Sequence, residues 1–135
     1  MSNMSLIILL MMALFAKFSE GLFGKVDVQV ASGLLDGMLL EIHCKSKNDD
    51  LGIHVLKPVQ TYEFSVTNGV FSSTLYFCGF TFNGKLHWFD IYDQKRDTHG
   101  DTDCKGACLW QIRVSGPCSF FDGKDDPVCY PWNKN

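Results

Sequence analysis

Beyond its first residues the chain has no long apolar run, no internal repeat, no low-complexity tract and no interdomain linker. The missing run excludes a second hydrophobic span. The other absences leave room for one domain. Net positive charge is missing too, because 12 Lys and Arg face 15 Asp and Glu, a formal charge of −3. A mildly acidic chain with scattered cations argues against nucleic acid as a partner. It also lacks the cationic amphipathic surface that a membrane-active defence peptide requires. No Gly-x-Ser-x-Gly elbow, paired-carboxylate signature or phosphate-binding loop occurs, which removes the familiar hydrolase and phosphotransfer chemistries. No Asn-x-Ser/Thr acceptor follows the leader, so N-glycosylation is not expected.

What is present begins with an apolar stretch, Leu6 to Ala16, followed by Lys17, Ser19, Glu20 and Gly21. Its length suits the core of a signal peptide and falls short of the roughly 20 residues a spanning helix needs. Small residues at 19 and 21 place the expected cleavage after Gly21. That reading divides the chain into a signal peptide, 1–21, and one domain, 22–135, that is secreted, extracellular, monomeric and not stably inserted in a membrane.

All six cysteines, at 44, 78, 104, 108, 118 and 129, lie downstream of this leader. An even count behind an export signal implies disulfides formed in an oxidising compartment. The same setting disfavours zinc at Cys104, Cys108, Cys44 and a histidine. Asp97, Asp101 and Asp103 around Gly100 lack the ligand order and closing Glu of a calcium loop. No cofactor is expected. Cys44 and Cys108 both share a strand face with core residues, which favours Cys44–Cys108 with Cys78–Cys104. The rival arrangement is Cys44–Cys78 with a local Cys104–Cys108 loop.

The rest reads as short strands. Val26, Val28 and Val30 alternate with polar residues, as do Leu40, Ile42 and Cys44, and again Tyr62, Phe64 and Val66, the period of a half-buried strand. Gly33, Gly37, Pro58 and Asn68-Gly69 fall where turns should lie. Asn83-Gly84 supplies the two positive-φ positions of a type I′ hairpin turn. A two-residue loop sets Phe82 opposite Lys85, Phe80 opposite His87, Cys78 opposite Phe89 and Tyr76 opposite Ile91. Gly79 then lies across from Trp88, leaving room for the indole. The opposite face of this hairpin is also apolar, so the hairpin either has both faces covered, as aromatic cross-strand pairs usually are, or keeps one aromatic face for a partner. A further strand, Leu109 to Val114, sets Cys108, Trp110, Ile112 and Val114 on one side. The fold class is all-β, a compact disulfide-stabilised β-sandwich of two antiparallel sheets.

At this point the residues resemble a known family. His43-Cys44-Lys45-Ser46-Lys47-Asn48-Asp49-Asp50-Leu51-Gly52 is similar to the H-C-x-S-K-x-x-D-L-G signature of plant self-incompatibility S1 proteins and S-protein homologues. Thr74-Leu75-Tyr76-Phe77-Cys78 resembles the T-L-[FY]-[FW]-C strand of that family. Phe89-Asp90-Ile91-Tyr92, Arg96-Asp97, Cys104 and Cys108-Leu109-Trp110 follow in the family's order. Phe82 stands where a Trp is frequent, and Cys118 and Cys129 add to the usual four cysteines. Because both lie outside the family's set, the resemblance implies Cys118–Cys129 as a third bridge over the C-terminal segment.

The resemblance implies a secreted β-sandwich acting as an extracellular protein ligand for a plasma-membrane receptor. In poppy the founding members are stigma-borne ligands that arrest incompatible pollen. A hydrophilic loop is implicated in their recognition, which draws attention to Asp93, Gln94, Lys95, Arg96, Asp97, Thr98, His99, Asp101 and Asp103; the alternative for Arg96 and Asp97 is that they pair with neighbours to stabilise the loop. The Lys45–Asp50 turn is the second candidate. The alternatives are a secreted defence protein or a small secreted hydrolase such as a ribonuclease. A ribonuclease would need paired histidines, and His43, His54, His87 and His99 lie on separate segments.

Overall fold

The computed structural model describes residues 4–12 and 24–133. Residues 4–12 form a helix with exposed side chains, and the expected cleavage point after Gly21 lies outside the described residues. Among the described residues no helix is long and apolar enough to cross a membrane.

Nine strands follow: β1 (Lys25–Ser32), β2 (Leu40–Lys45), β3 (Asp50–Leu56), β4 (Thr61–Thr67), β5 (Leu75–Phe82), β6 (Lys85–Asp93), β7 (Ala107–Arg113), β8 (Gly116–Phe120) and β9 (Val128–Cys129). They form a five-stranded sheet in the order β4-β1-β7-β8-β9 and a four-stranded sheet in the order β3-β2-β5-β6. The core lies between the sheets. Val26, Val28 and Val30 of β1, with Cys108, Trp110 and Ile112 of β7, come from one side. Leu40 and Ile42 of β2, Phe80 of β5, and Phe89 and Ile91 of β6 come from the other. Alternation of apolar and polar residues along β1, β2 and β7 thus produces one buried face per strand, as period-2 geometry requires.

One neighbouring pair departs from the antiparallel rule. β1 and β7 run parallel, with Val28 beside Cys108 and Val30 beside Trp110. A parallel pair needs a long crossover, and here the whole four-stranded sheet and β4 lie between its two strands in sequence. No local signal along either strand encodes that.

The β5–β6 hairpin keeps the register expected from Asn83-Gly84 as far as Cys78 opposite Phe89, then slips at a bulge. Tyr76 faces Tyr92 instead of Ile91. An extra residue on one strand makes consecutive side chains point the same way, and Ile91 and Tyr92 are both fully buried. Tyr92, which simple alternation places outside with Trp88, therefore turns inward. Val114 also differs from expectation: it is 60% exposed, because β7 ends at Arg113 and Val114 enters the turn to β8.

The disulfides are Cys44–Cys78, Cys104–Cys108 and Cys118–Cys129. The favoured Cys44–Cys108 and Cys78–Cys104 pairing is therefore corrected in favour of its rival. Cys44 and Cys108 do both face the core, but on different sheets. The β2–β5 register sets Cys44 directly across from Cys78, with Cα atoms 4.0 Å apart. Cys118 and Cys129 are likewise cross-strand neighbours on β8 and β9.

The C-terminal segment then laces both sheets together. Tyr130 N donates to Pro117 O at 2.9 Å, Trp132 Nε1 to Val114 O at 3.0 Å, and Asn133 N to Trp88 O at 2.9 Å. Trp132 packs on Phe80, Phe82 and His87. Gly116 permits this lacing: its φ is +144°, and a Cβ there would lie 2.0 Å from Tyr130 O.

Candidate recognition site

One end of the sandwich collects the β2–β3 turn, the β4–β5 loop, the β6–β7 segment and the β8–β9 loop. The β6–β7 segment, with Asp93 at the end of β6, contains every residue of the nominated hydrophilic loop. It starts as a short helix, Gln94–Asp97, capped by Asp93, whose Oδ1 accepts from Lys95 N at 3.0 Å. A 3-10 turn, Gly100–Thr102, follows.

The segment is anchored from beneath by Arg96 and Asp97. Asp97 is 4% exposed. Its Oδ1 accepts from Arg96 Nε and its Oδ2 from Arg96 Nη2, both at 2.8 Å, while Asp93 N donates to Oδ2 at 2.8 Å. The guanidinium also donates to Asp90 O at 2.9 Å, on the bulged stretch of β6. Three rings surround it, with Phe89, Trp110 and Tyr130 centroids 5.2, 5.1 and 5.4 Å away. An Arg in such a cage gains cation–π attraction while its planar fork grips a carboxylate. Burial pushes the Asp97 carboxyl up from its ordinary value, against the Arg96 hydrogen bonds and charge, which pull it down.

Gln94 ties in the neighbouring loop. Its Oε1 accepts from Gly69 N and Thr74 N at 2.8 and 2.9 Å, and its Nε2 donates to Gly69 O at 2.9 Å. Tyr92 OH donates to Asn68 Oδ1 on the same loop. Burial, reinforced by the Asp97 charge, pushes the Tyr92 phenol up to about 12. A phenol that ionises later in the fold than in the unfolded chain contributes stability that is intact below pH ~10 and lost as pH climbs toward about 12. In that window the lost proton steepens the fall of stability by up to about 1.4 kcal/mol per pH unit. Denaturant unfolding between about pH 9 and about pH 12 should therefore show a shallower decline for Tyr92→Phe than for the native chain.

Of the nominated residues, Lys95, His99 and Asp101 are exposed; Asp93, Gln94, Arg96, Thr98 and Asp103 are partly covered; Asp97 is buried. The segment also borders a cleft of about 340 Å³, lined on one side by Gly100, Asp101, Asp103 and Lys105, and on the other by Phe120, Phe121, Asp122 and Lys124. Lys124 Nζ lies 5.6 Å from the Phe121 ring centroid and 3.5 Å from Asp101 O. The Phe121–Lys124 side of this cleft belongs to the β8–β9 loop, which Cys118–Cys129 closes. Sequence reasoning did not reach it, because its residues gain meaning only through the β7–β8 pairing that brings them beside the 100–105 stretch.

The Lys45–Asp50 turn is built separately. Ser46 Oγ accepts from Asp49 N at 3.1 Å, and Asp49 Oδ2 accepts from Tyr76 OH at 2.9 Å. Asp50 accepts from Gly52 N at 2.9 Å and contacts His43 Nε2 at 2.7 Å. The Gly52 amide, then His43, hold its carboxyl below the ordinary value. The remaining histidines lie elsewhere: His54 stacks on Tyr62, His87 lies between Phe82 and Trp132, and His99 meets Thr98 Oγ1 at 2.9 Å.

Both the sequence and the fold find counterparts among known proteins. Residues 27–132 match the family model of plant self-incompatibility protein S1. The chain belongs to that family. It is 44% identical to S-protein homolog 2 of Arabidopsis thaliana over 113 residues, covering 82% of this chain and 70% of the relative. It is 39% identical to S-protein homolog 5 of the same plant over 134 residues, covering 98% and 99%. A solved structure matches the fold with a TM-score of 0.58 at 16% identity, over 83% of this chain and 97% of the other. That structure is described as one of the SPH (self-incompatibility protein homologue) proteins, a widespread family of small, highly stable, secreted proteins from plants.

Proposed function

We propose that this S-protein homologue is secreted and serves as an extracellular protein ligand, recognised without catalysis by a plasma-membrane receptor, in pollen rejection or related cell–cell signalling. The observation that carries the reading is the β6–β7 segment. Arg96, Asp97 and Gln94 hold it from within, so that Lys95, His99 and Asp101 stand outward on a fixed frame. A loop already held in one conformation loses little entropy when it is bound, and rigid scaffolds carrying such loops are a common recognition device. Family membership and the secreted character of the SPH relatives support the extracellular setting. The scattered histidines favour a ligand over a ribonuclease, since His43, His54, His87 and His99 each engage a different neighbour.

The test is a triple variant, Lys95→Ala, His99→Ala and Asp101→Ala, assayed for binding to plasma membranes from receptive plant cells. Stability should change by no more than about 0.5 kcal/mol per site, as exposed positions allow. Binding should fall roughly tenfold or more, a loss of about 1.4 kcal/mol. Unaltered binding would remove this loop from the recognition surface. Hydrolysis of RNA by the oxidised protein, abolished by replacing His43 or His87, would overturn the ligand reading itself.

A further inference from the structure

The β4–β5 loop, 68–74, carries an aromatic ring that nothing in the chain covers. Phe71 is 103% exposed, and Val70 beside it is 50% exposed. Turns are dominated by Gly, Pro, Asn, Asp and Ser. The rest of this loop conforms, with Asn68, Gly69, Ser72, Ser73 and Thr74.

A single exposed apolar residue is ordinary on a protein surface. Phe71 differs because the loop beneath it is held in one shape. Gln94 Oε1 accepts from Gly69 N and Thr74 N, and its Nε2 donates to Gly69 O. Gln94 N donates to Thr74 O at 3.0 Å, Thr74 Oγ1 to Thr67 O at 2.7 Å, and Asn68 N to Gly24 O at 3.2 Å. The chain folds back so tightly that a Cβ on Gly69 would lie 1.9 Å from Ser72 O. Both feet of the apex are therefore pinned. A loop free to rearrange would lay its ring on apolar surface such as Leu75, which is 42% exposed. This one keeps the ring in water.

The ring also adjoins a polar cleft of about 360 Å³. Ser72 and Ser73 line one wall, and Lys47, Asn48 and Asp49 of the β2–β3 turn line the other. An aromatic anchor bordered by hydrogen-bonding groups has the anatomy of a protein interface, with an apolar centre inside a polar rim. We propose that Phe71 is the aromatic anchor of this chain's recognition surface, entering an apolar pocket of a protein partner while the Ser72–Ser73 cleft meets that pocket's polar rim. This rests on the receptor reading and names a side chain outside the nominated loop. Gln94 makes the two surfaces continuous, since it joins the β4–β5 loop to the segment bearing Lys95, His99 and Asp101. A lipid surface fits less well. Residues 68–74 contain no Lys or Arg to meet anionic headgroups. One Phe and one half-exposed Val also bury less apolar surface than a myristoyl chain, which alone binds membranes only marginally.

The test titrates labelled, oxidised chain onto plasma membranes of receptive plant cells, the same membranes after protease treatment, and vesicles of their extracted lipids. The native chain should bind saturably to the intact membranes alone. Phe71→Ala should weaken that binding roughly thirtyfold or more, as truncating an interface anchor does. Phe71→Leu should lose less, because an apolar pocket grades its occupants by buried area. Neither change should move the melting temperature by more than about 3 °C, the position being fully exposed. If Phe71→Ala binds like the native chain while Lys95→Ala, His99→Ala and Asp101→Ala together impair binding, the anchor is overturned and the receptor reading stands. A Phe71→Leu variant as weak as Phe71→Ala likewise overturns the apolar pocket. Phe71-dependent binding to the lipid vesicles or to protease-treated membranes would give the ring to lipid or glycan and overturn the protein partner. A native chain with no protease-sensitive binding overturns both readings together.

Discussion

Replacing Arg96 with alanine should lower the unfolding free energy by about 3–5 kcal/mol, the cost typical of removing one partner from a buried ion pair. The carboxylate of Asp97 would stay 4% exposed with its two guanidinium hydrogen bonds gone. The rings of Phe89, Trp110 and Tyr130 would lose the cation they surround. Arg96→Lys keeps the charge but not the planar fork, so it should recover only part of the loss. The double variant Arg96→Ala and Asp97→Ala should cost less than the sum of the single changes, because no charge is left stranded.

Acid gives a second signature of the same defect. Asp97 already has its carboxyl pushed up by burial, and Arg96 is what opposes that push. Without Arg96 the folded carboxyl should rise further above its unfolded value, so the folded variant takes up its proton first as pH falls. Its deficit relative to the native chain should then shrink as pH is lowered toward the ordinary carboxylate range. Urea unfolding at a few pH values reads both effects. A loss below about 1 kcal/mol, independent of pH, would mean that Arg96 and Asp97 form only an ordinary surface pair.

The sequence offered Arg96 and Asp97 as a pair that could stabilise the loop, but the burial that gives the pair its weight was not legible there, and the reason is physical. Asp93 to Asp103 is hydrophilic throughout, and composition alone assigns such a stretch to solvent. Asp97 is buried because Phe89, Trp110 and Tyr130, from three distant segments, converge on its neighbour. Periodicity carries no information about such convergence. It does carry β1, β2 and the hairpin, where one strand face is buried and the other wet. β3 escaped notice for the complementary reason: Ile53 and Val55 are both exposed, so its apolar residues do not mark the core. The sulfur pairing failed at the same boundary between local and long-range order. Facing inward is a property of one strand, whereas being opposite a partner depends on the β2–β5 register.

That register makes a sharp prediction about the cross-links. By loop-closure entropy, removing a bridge should cost more when it closes a longer loop. Cys44–Cys78 spans 34 residues, so its double replacement by alanine should cost about 4 kcal/mol. Cys118–Cys129 spans 11 and should cost about 3 kcal/mol. Cys104–Cys108 spans 4 and should cost about 2 kcal/mol. Connectivity is read independently by alkylation: Cys44→Ala alone should expose a single free thiol, at Cys78, whereas a thiol at Cys108 would restore the rejected pairing. The C-terminal bridge carries a further consequence, because it fixes Tyr130, one wall of the Arg96 cage, next to β8. In a chain lacking Cys118 and Cys129 that wall is free to move, and Arg96→Ala should cost less than it does in the native background. Equal costs in the two backgrounds would mean that Phe89 and Trp110 hold the guanidinium without help from the C-terminal segment.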